Sequence, residues 1–263
     1  MISVKTVKEI IEMLAAVDEP GQWMEELAAD KRAGVKNALE RWSRRYDKRM
    51  KIQAMHVSKM AFDTSFAPFE GALVAGVDEA GRGPLAGPVV TATVILPQDV
   101  QKLIGLDDSK RIAKRDRERL AVLIKEIATD YNVHVQSAKQ IDDMNIYAAT
   151  RDSMEQAVRA LTIRPDFVMV DAMALATDCP TASIVKGDAQ SLVIAAASIL
   201  AKTTRDAIMD DLHKEFPAYQ FNKNAGYGTP GHLDALQQYG PCEHHRKSFE
   251  PVKSMILEKR EIT

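Results

Sequence analysis

The sequence predicts an α/β domain preceded by a small all-helical one, and three observations predict it. Apolar residues recur at helical spacing through residues 1 to about 65. From Leu73 onward the texture changes to short β-branched runs alternating with helical stretches. Between the two, residues 65–71 carry Pro68 and Gly71 and read as a linker, which sets the expected division at residues 1–70 and 71–263.

Taken in order, the helical part breaks at Asp18-Glu19-Pro20-Gly21, where proline and glycine impose a turn. In its longer helix Val35, Leu39, Trp42, Tyr46 and Met50 share one face, and Arg41, Arg44, Arg45 and Lys48 share the opposite one. That basic stripe suits a duplex or partner contact, with a plain solvated face as the alternative. In the second part, residues 73–78 and 88–96 read as a strand pair, 133–137 as a further strand and 167–171 as a buried one. Residues 113–129, 147–161 and 189–216 read as helices, the last opened by Gly187-Asp188. No internal repeat or low-complexity segment interrupts them.

Composition excludes several classes. With 46% hydrophobic and 27% charged residues the chain is an ordinary globular protein rather than a disordered one. A net charge of -2 gives no overall signature for nucleic acid, so any basic surface must be segregated from an acidic site. Two cysteines, Cys179 and Cys242, are too few for a disulfide framework, and residues 1–14 mix Lys and Glu into their apolar positions, unlike a signal peptide. The longest apolar run, residues 192–201, is far short of the ~20 residues of a membrane span. A cytoplasmic location is expected.

The most informative stretch is Gly76-Val77-Asp78-Glu79-Ala80-Gly81-Arg82-Gly83-Pro84-Leu85-Ala86-Gly87-Pro88. Two acids end an apolar strand, and a glycine loop carrying one arginine follows. Carboxylates there can hold a hard cation, while backbone without side chains lets a sugar or phosphate approach the peptide N–H groups. A dinucleotide fingerprint fails on context, because Pro84 and Pro88 lead into a strand pattern instead of a helix. The loop also lacks the Lys and Ser/Thr ending of a P-loop. For the glycines alone a plain hairpin turn remains the alternative. Consecutive strand residues point to opposite faces, so Asp78 and Glu79 share a site only if the strand ends or twists there.

Asp171 ends the apolar run Phe167-Val168-Met169-Val170, at the strand edge where open α/β sheets place their sites. Asp188, after Lys186-Gly187, is either a fourth site acid or a helix N-cap. Together the four acids form the oxygen-rich set that Mg²⁺ or Mn²⁺ prefers. Cys242-Glu243-His244-His245 is too crowded, and lacks the second ligand pair, for a tetrahedral zinc site. A serine-hydrolase elbow of the Gly-x-Ser-x-Gly kind is absent.

In these residues, and in Asp107-Asp108-Ser109-Lys110, Ile141-Asp142, Asn145-Ile146, Ala149-Thr150, Lys186-Gly187-Asp188, Ala196-Ala197-Ser198-Ile199, Ala201-Lys202, Arg205-Asp206, Gly226-Tyr227-Gly228-Thr229, His245-Arg246, Ser248-Phe249 and Pro251-Val252, the chain closely resembles the bacterial ribonuclease HII family. The resemblance covers residues 73–252. It implies a ribonuclease H-like mixed five-stranded sheet flanked by helices, with a C-terminal helical portion. It also implies cleavage of the RNA strand of RNA/DNA hybrids and nicking at single ribonucleotides embedded in duplex DNA, with Mn²⁺ or Mg²⁺ as cofactor and two ions during catalysis. By the same resemblance the metal-binding catalytic acids are Asp78, Glu79, Asp171 and Asp188. Gly81, Arg82 and Gly83 form the loop that reads the 2′-hydroxyl, and Tyr227 senses the RNA–DNA junction.

Ser198, Lys202 and Arg205 lie a turn apart on one helix and are expected to face phosphates, as is Lys110, with surface salt bridging as the alternative. The His245-Arg246 segment is expected to pack structurally. The N-terminal extension departs from the family's minimal pattern and is expected to adjust affinity, not chemistry. A ribonuclease HIII-like nuclease is the nearest rival, although its extension is β-rich. A non-catalytic hybrid-binding module is the rival of another class, and the presence of all four acids argues against it.

Overall fold

A computed structural model describes residues 5–261, which divide into two compact units, one ending at Val57 and the other beginning at Ser58. The first contains α1 (Val7–Ala16), α2 (Trp23–Ala28) and most of α3 (Ala33–Thr64). Thr6 and Glu9 form a reciprocal capping box at the start of α1. The expected turn at Asp18–Gly21 separates α1 from α2, and Asp30, which accepts the Arg32 N–H at 2.9 Å, makes a second break before α3. Ile10, Leu14, Met24, Leu27, Val35, Ala38 and Trp42 form the core. Arg45 belongs only partly to the expected basic stripe, because its Nη2 donates to the carbonyls of Leu14 (2.7 Å) and Val17 (3.2 Å) at the end of α1.

The second unit is built on a sheet of order β3-β2-β1-β4-β5. Its strands are β1 (Val74–Ala80), β2 (Val89–Ile95), β3 (Asp130–Gln136), β4 (Phe167–Asp171) and β5 (Thr181–Ile184). β1 runs antiparallel to β2 and parallel to β4, and β2–β3 and β4–β5 continue the two patterns, so the sheet is mixed, as the resemblance implies. β5, whose sequence Thr-Ala-Ser-Ile has no apolar run, escaped the strand pattern.

The helices α4 (Lys114–Ile127), α5 (Ala138–Met144), α6 (Ile146–Arg159), α7 (Gly187–Gln190) and α8 (Leu192–Glu215) cover the sheet. Ala92 and Val94 of β2 pack with Leu120, Ile124, Ala195, Ala196, Ile199 and Leu200 on one side. Ala75, Val77, Val168 and Val170 pack with Met154 and Val158 on the other. With both faces covered, every residue of β2 is buried. A Cβ on Gly76 would lie 2.2 Å from the carbonyl carbon of Val193, so glycine is what lets α8 cross β1 this closely.

The expected single helix over residues 189–216 is two. Ser191 separates them, its side chain accepting the Ile194 N–H at 3.1 Å as the N-cap of α8. Asp188 therefore lies in the first turn of α7 and is not a cap. The last two turns of α3 belong to the second unit. Lys59 Nζ lies 2.9 Å from Asp107 Oδ1, and Asp63 Oδ2 accepts the N–H groups of Leu192 (2.9 Å) and Val193 (3.0 Å). These contacts explain why the compact units divide before Ser58.

The C-terminal portion consists of α9 (Phe221–Asn224), α10 (Pro230–Tyr239) and α11 (Val252–Glu261). It packs through Phe221, Leu236 and Val252 onto Leu85, Ala86, Met209 and Leu212. Among the described residues no helix is long and apolar enough to cross a membrane.

Candidate active site

Pairing between β1 and β4 stops at Val77↔Val170, whereas β1 continues along β2 as far as Ala80↔Val90. Past Val77 the β4 side of β1 is open. Asp78 and Glu79 both reach the cleft that begins there, which resolves the difficulty posed by strand alternation, and Asp171 enters it from the end of β4. The cleft holds about 370 Å³, and Gly81, Arg82, Gly83, Lys110, Ser198, Lys202, Arg205 and Tyr227 are among the residues that line it. Asp188 is not among the lining residues. It stands one residue beyond Gly187, whose N–H donates to Asp171 Oδ1 at 2.7 Å, and the charge of Asp171 acts on it.

Electrostatics bind these acids into one group. Burial, then the charges of Glu79 and Asp171, hold the Asp78 carboxyl well above its ordinary range, despite the hydrogen bond from the Glu79 N–H and the nearness of Ser198. Burial also raises Glu79, with Arg82, 3.5 Å from it, opposing and Asp171 adding to the shift. Asp188 is raised by burial and then by Asp108 and Asp171. Lys110 answers this negative field: burial would lower it, but Asp108, Asp188, Asp78 and Asp171 outweigh burial and raise it.

A cluster of buried carboxylates that resist ionisation beside one another fits a hard divalent cation, which would take oxygen donors and relieve the repulsion. Among the described residues no three acid, imidazole or thiol groups stand in ready ligand geometry. Asp78 and Asp171 instead each place one oxygen on a backbone N–H and keep a second.

The substrate-facing expectations divide. Tyr227 is half exposed, and its ring edge lies 3.5 Å from where a Cβ on Gly83 would sit. Lys202 borders the cleft and pairs with Asp206 at 2.6 Å. Ser198 borders the cleft but is buried, donating to Ser109 Oγ at 2.9 Å. Arg205 also lines the cleft, but its guanidinium is engaged by the protein itself. It is 1% exposed, and its guanidinium donates to the carbonyls of Pro88 (2.9 Å), Ala225 (3.0 Å) and Ala86 (3.2 Å). Helical spacing placed it in line with Ser198 and Lys202, but the C-terminal helices cover that end of α8.

Three residues escaped sequence reasoning. Lys59 donates to the Asp188 carbonyl oxygen at 2.9 Å as well as to Asp107, so a helix far away in sequence supports a site acid. Nothing in its sequence surroundings distinguishes it from the surface lysines of α3. Arg246 was read as a packing residue, yet it grips the Gly81–Arg82 backbone. His232 links the Tyr227 turn to His245: its Nδ1–H donates to the Tyr227 carbonyl (2.9 Å), and its Nε2 accepts from His245 Nε2–H (2.9 Å). His245 Nδ1 then accepts the Cys242 N–H at 3.0 Å. Both ring nitrogens of His232 and His245 are thereby occupied.

Two family descriptions match the chain: Ribonuclease HII over residues 75–252, and Ribonuclease HII N-terminal domain over residues 6–67. Ribonuclease HII of Geobacillus sp. (strain WCH70) is 44% identical over 259 residues, 97% of this chain and 92% of its own length. Ribonuclease HII of Lactobacillus acidophilus is 47% identical over 251 residues, 95% and 99% of the two chains. The crystal structure of ribonuclease H2 from Pyrococcus horikoshii OT3 is similar with a TM-score of 0.63 at 28% identity, covering 72% of this chain and 99% of that one. The clustered acids thus stand on a fold and in a sequence shared with these enzymes, and the chain belongs to the ribonuclease HII family and is a ribonuclease H.

Proposed function

We propose that the protein hydrolyses the RNA strand of RNA/DNA hybrids and nicks on the 5′ side of single ribonucleotides embedded in duplex DNA, leaving 3′-hydroxyl and 5′-phosphate ends. The observation that carries this reading is the meeting of Asp78, Glu79 and Asp171 in a cleft bordered by Gly81–Gly83 and Tyr227. Asp78, Glu79, Asp171 and Asp188 are the groups that hold Mg²⁺ or Mn²⁺. Two such ions, when bound, supply activation of the attacking water and stabilisation of charge on the scissile phosphate.

The rest falls to the chain's own residues. The Glu79 N–H steadies the Asp78 carboxylate, and Lys59 and the Gly187 N–H hold the backbone of Asp188 and the side chain of Asp171. Lys110 balances the acids' charge and, with Lys202, offers a cation to the substrate backbone. Amides of the Gly81–Gly83 loop reach a 2′-hydroxyl, the group that distinguishes RNA from DNA. Tyr227 lays its ring on the neighbouring deoxyribose. The N-terminal unit, with Arg41, Arg44 and Lys48 exposed on α3, contributes affinity through phosphate contacts.

The deciding experiment incubates the protein with duplex DNA carrying one ribonucleotide, in Mg²⁺, Mn²⁺ and EDTA, beside an all-DNA duplex and a long RNA/DNA hybrid. A metal-dependent nick 5′ of the ribonucleotide, with the all-DNA duplex intact, is the expected result. Cleavage of the long hybrid alone would instead indicate HIII-like specificity, and binding without cleavage a hybrid-binding module.

A further inference from the structure

Arg205 and Arg246 are among the largest fully buried side chains, and among the described residues neither makes an ion pair. Burying an unpaired guanidinium is unfavourable unless hydrogen bonds satisfy it, so their partners reveal what the two residues are for. Every one of those partners is a backbone carbonyl. Arg246 donates to Gly81, to Arg82 (2.8 Å) and to Gly87 (3.0 Å). Arg205 takes Ala86, Pro88 and Ala225. The glycine strap from Gly81 to Pro88 is thus gripped at both ends, and Arg205 joins it to the turn that carries Tyr227. Gly81 fits the arrangement, because a Cβ there would lie 2.0 Å from Arg205 Nε.

A trans peptide points its C=O and its N–H in opposite directions. With the Gly81 and Arg82 carbonyls drawn inward to Arg246, the N–H groups of Arg82 and Gly83 are aimed the other way. Neither donates to a protein acceptor among the described residues, and both residues line the cleft. We propose that Arg246 is a positioning residue for 2′-hydroxyl recognition: its guanidinium aims the Arg82 and Gly83 amides into the cleft, and Arg205 fixes their distance from Tyr227. This rests on the ribonucleotide-nicking reading above.

The test compares wild type with Arg246→Lys, which keeps the charge and loses the fork, and Arg246→Met, which keeps much of the volume. Kd is measured with Ca²⁺ in place of Mg²⁺ for a duplex with one ribonucleotide and for the same duplex in all-DNA form. The preference for the ribonucleotide should fall about tenfold in both variants, with the all-DNA affinity unchanged. A merely structural role would lower both affinities together and keep their ratio, which would overturn the inference. If neither variant melts cooperatively, hydrogen exchange in the wild type decides. The Arg82 and Gly83 amides should be slowed by the ribonucleotide duplex and not by all-DNA, and equal effects would overturn the inference. A wild-type protein with no ribonucleotide preference and no cleavage in either metal would remove the underlying reading instead.

Discussion

Asp78 carries a charge that its surroundings oppose, and this has two measurable consequences. Burial and the neighbouring Glu79 and Asp171 raise its carboxyl, so the folded, metal-free protein binds more protons than the unfolded chain above the ordinary carboxyl range. Stability is then fullest at the acid side of that window and lost as pH rises through the raised values. Asp63, pushed up to about 6 by burial, adds the same sign over a window closing near pH 6. Thermal melts in EDTA should therefore show Tm falling as pH is raised from about 5 toward neutrality, and Mg²⁺ or Mn²⁺ should restore more of it at the higher pH. Asp78→Asn should raise the metal-free Tm at neutral pH by roughly 2–4 °C, the equivalent of about 1 kcal/mol. The same variant should reduce cleavage by more than the roughly 10–100-fold typical of losing an outer-shell partner. That Asp78, Glu79 and Asp171 gather at one cleft was legible in the sequence because each follows an apolar strand run; Asp188, after Lys186-Gly187, lies outside the cleft lining. That Arg205, though it lines the cleft, is buried and held by carbonyls was not legible, because spacing tells which residues share a helix face and not what later covers that face.

Among the elements, α8 depends most on particular small residues. Its approach to β1 is set by Gly76, and Gly76→Ala, with its Cβ against the backbone of Val193 and Ile194, should force the helix outward at a cost of about 1–3 kcal/mol. Because Asp78 and Ser198 face each other across that contact, activity should fall along with Tm. Ser191→Ala gives the contrasting outcome. Loss of the cap should cost about 1 kcal/mol in a chemical denaturation curve while leaving kcat nearly unchanged. The helix and strand pattern from Leu73 onward was readable because both faces of the sheet are covered and the buried strands are continuously apolar. The interruption at Ser191 was not, since Gln190-Ser191-Leu192 carries no proline or glycine and the break is made by a cap hydrogen bond together with Asp63, distant in sequence.

At the scale of the whole molecule, the division before Ser58 predicts how truncations behave. A chain beginning at Ser58 keeps Lys59 on Asp107 and Asp188, and Asp63 on the start of α8, and should cleave at saturating substrate with a raised KM. One beginning at residue 69 removes both, leaves Asp107 and the Asp188 carbonyl without their buried lysine, and should melt at lower temperature with reduced kcat. The two family descriptions meet between residues 67 and 75, beside the linker that composition marks, while the compact units divide earlier because the end of α3 is buried in the second one. The grip of Arg246 on Gly81 and Arg82 spans nearly the full second unit. On a ribosome, every acid of the cleft emerges before that arginine. If Arg246 aims the loop as proposed, a nascent chain therefore holds Asp78, Glu79 and Asp171 before the Gly81 and Arg82 carbonyls have their clamp.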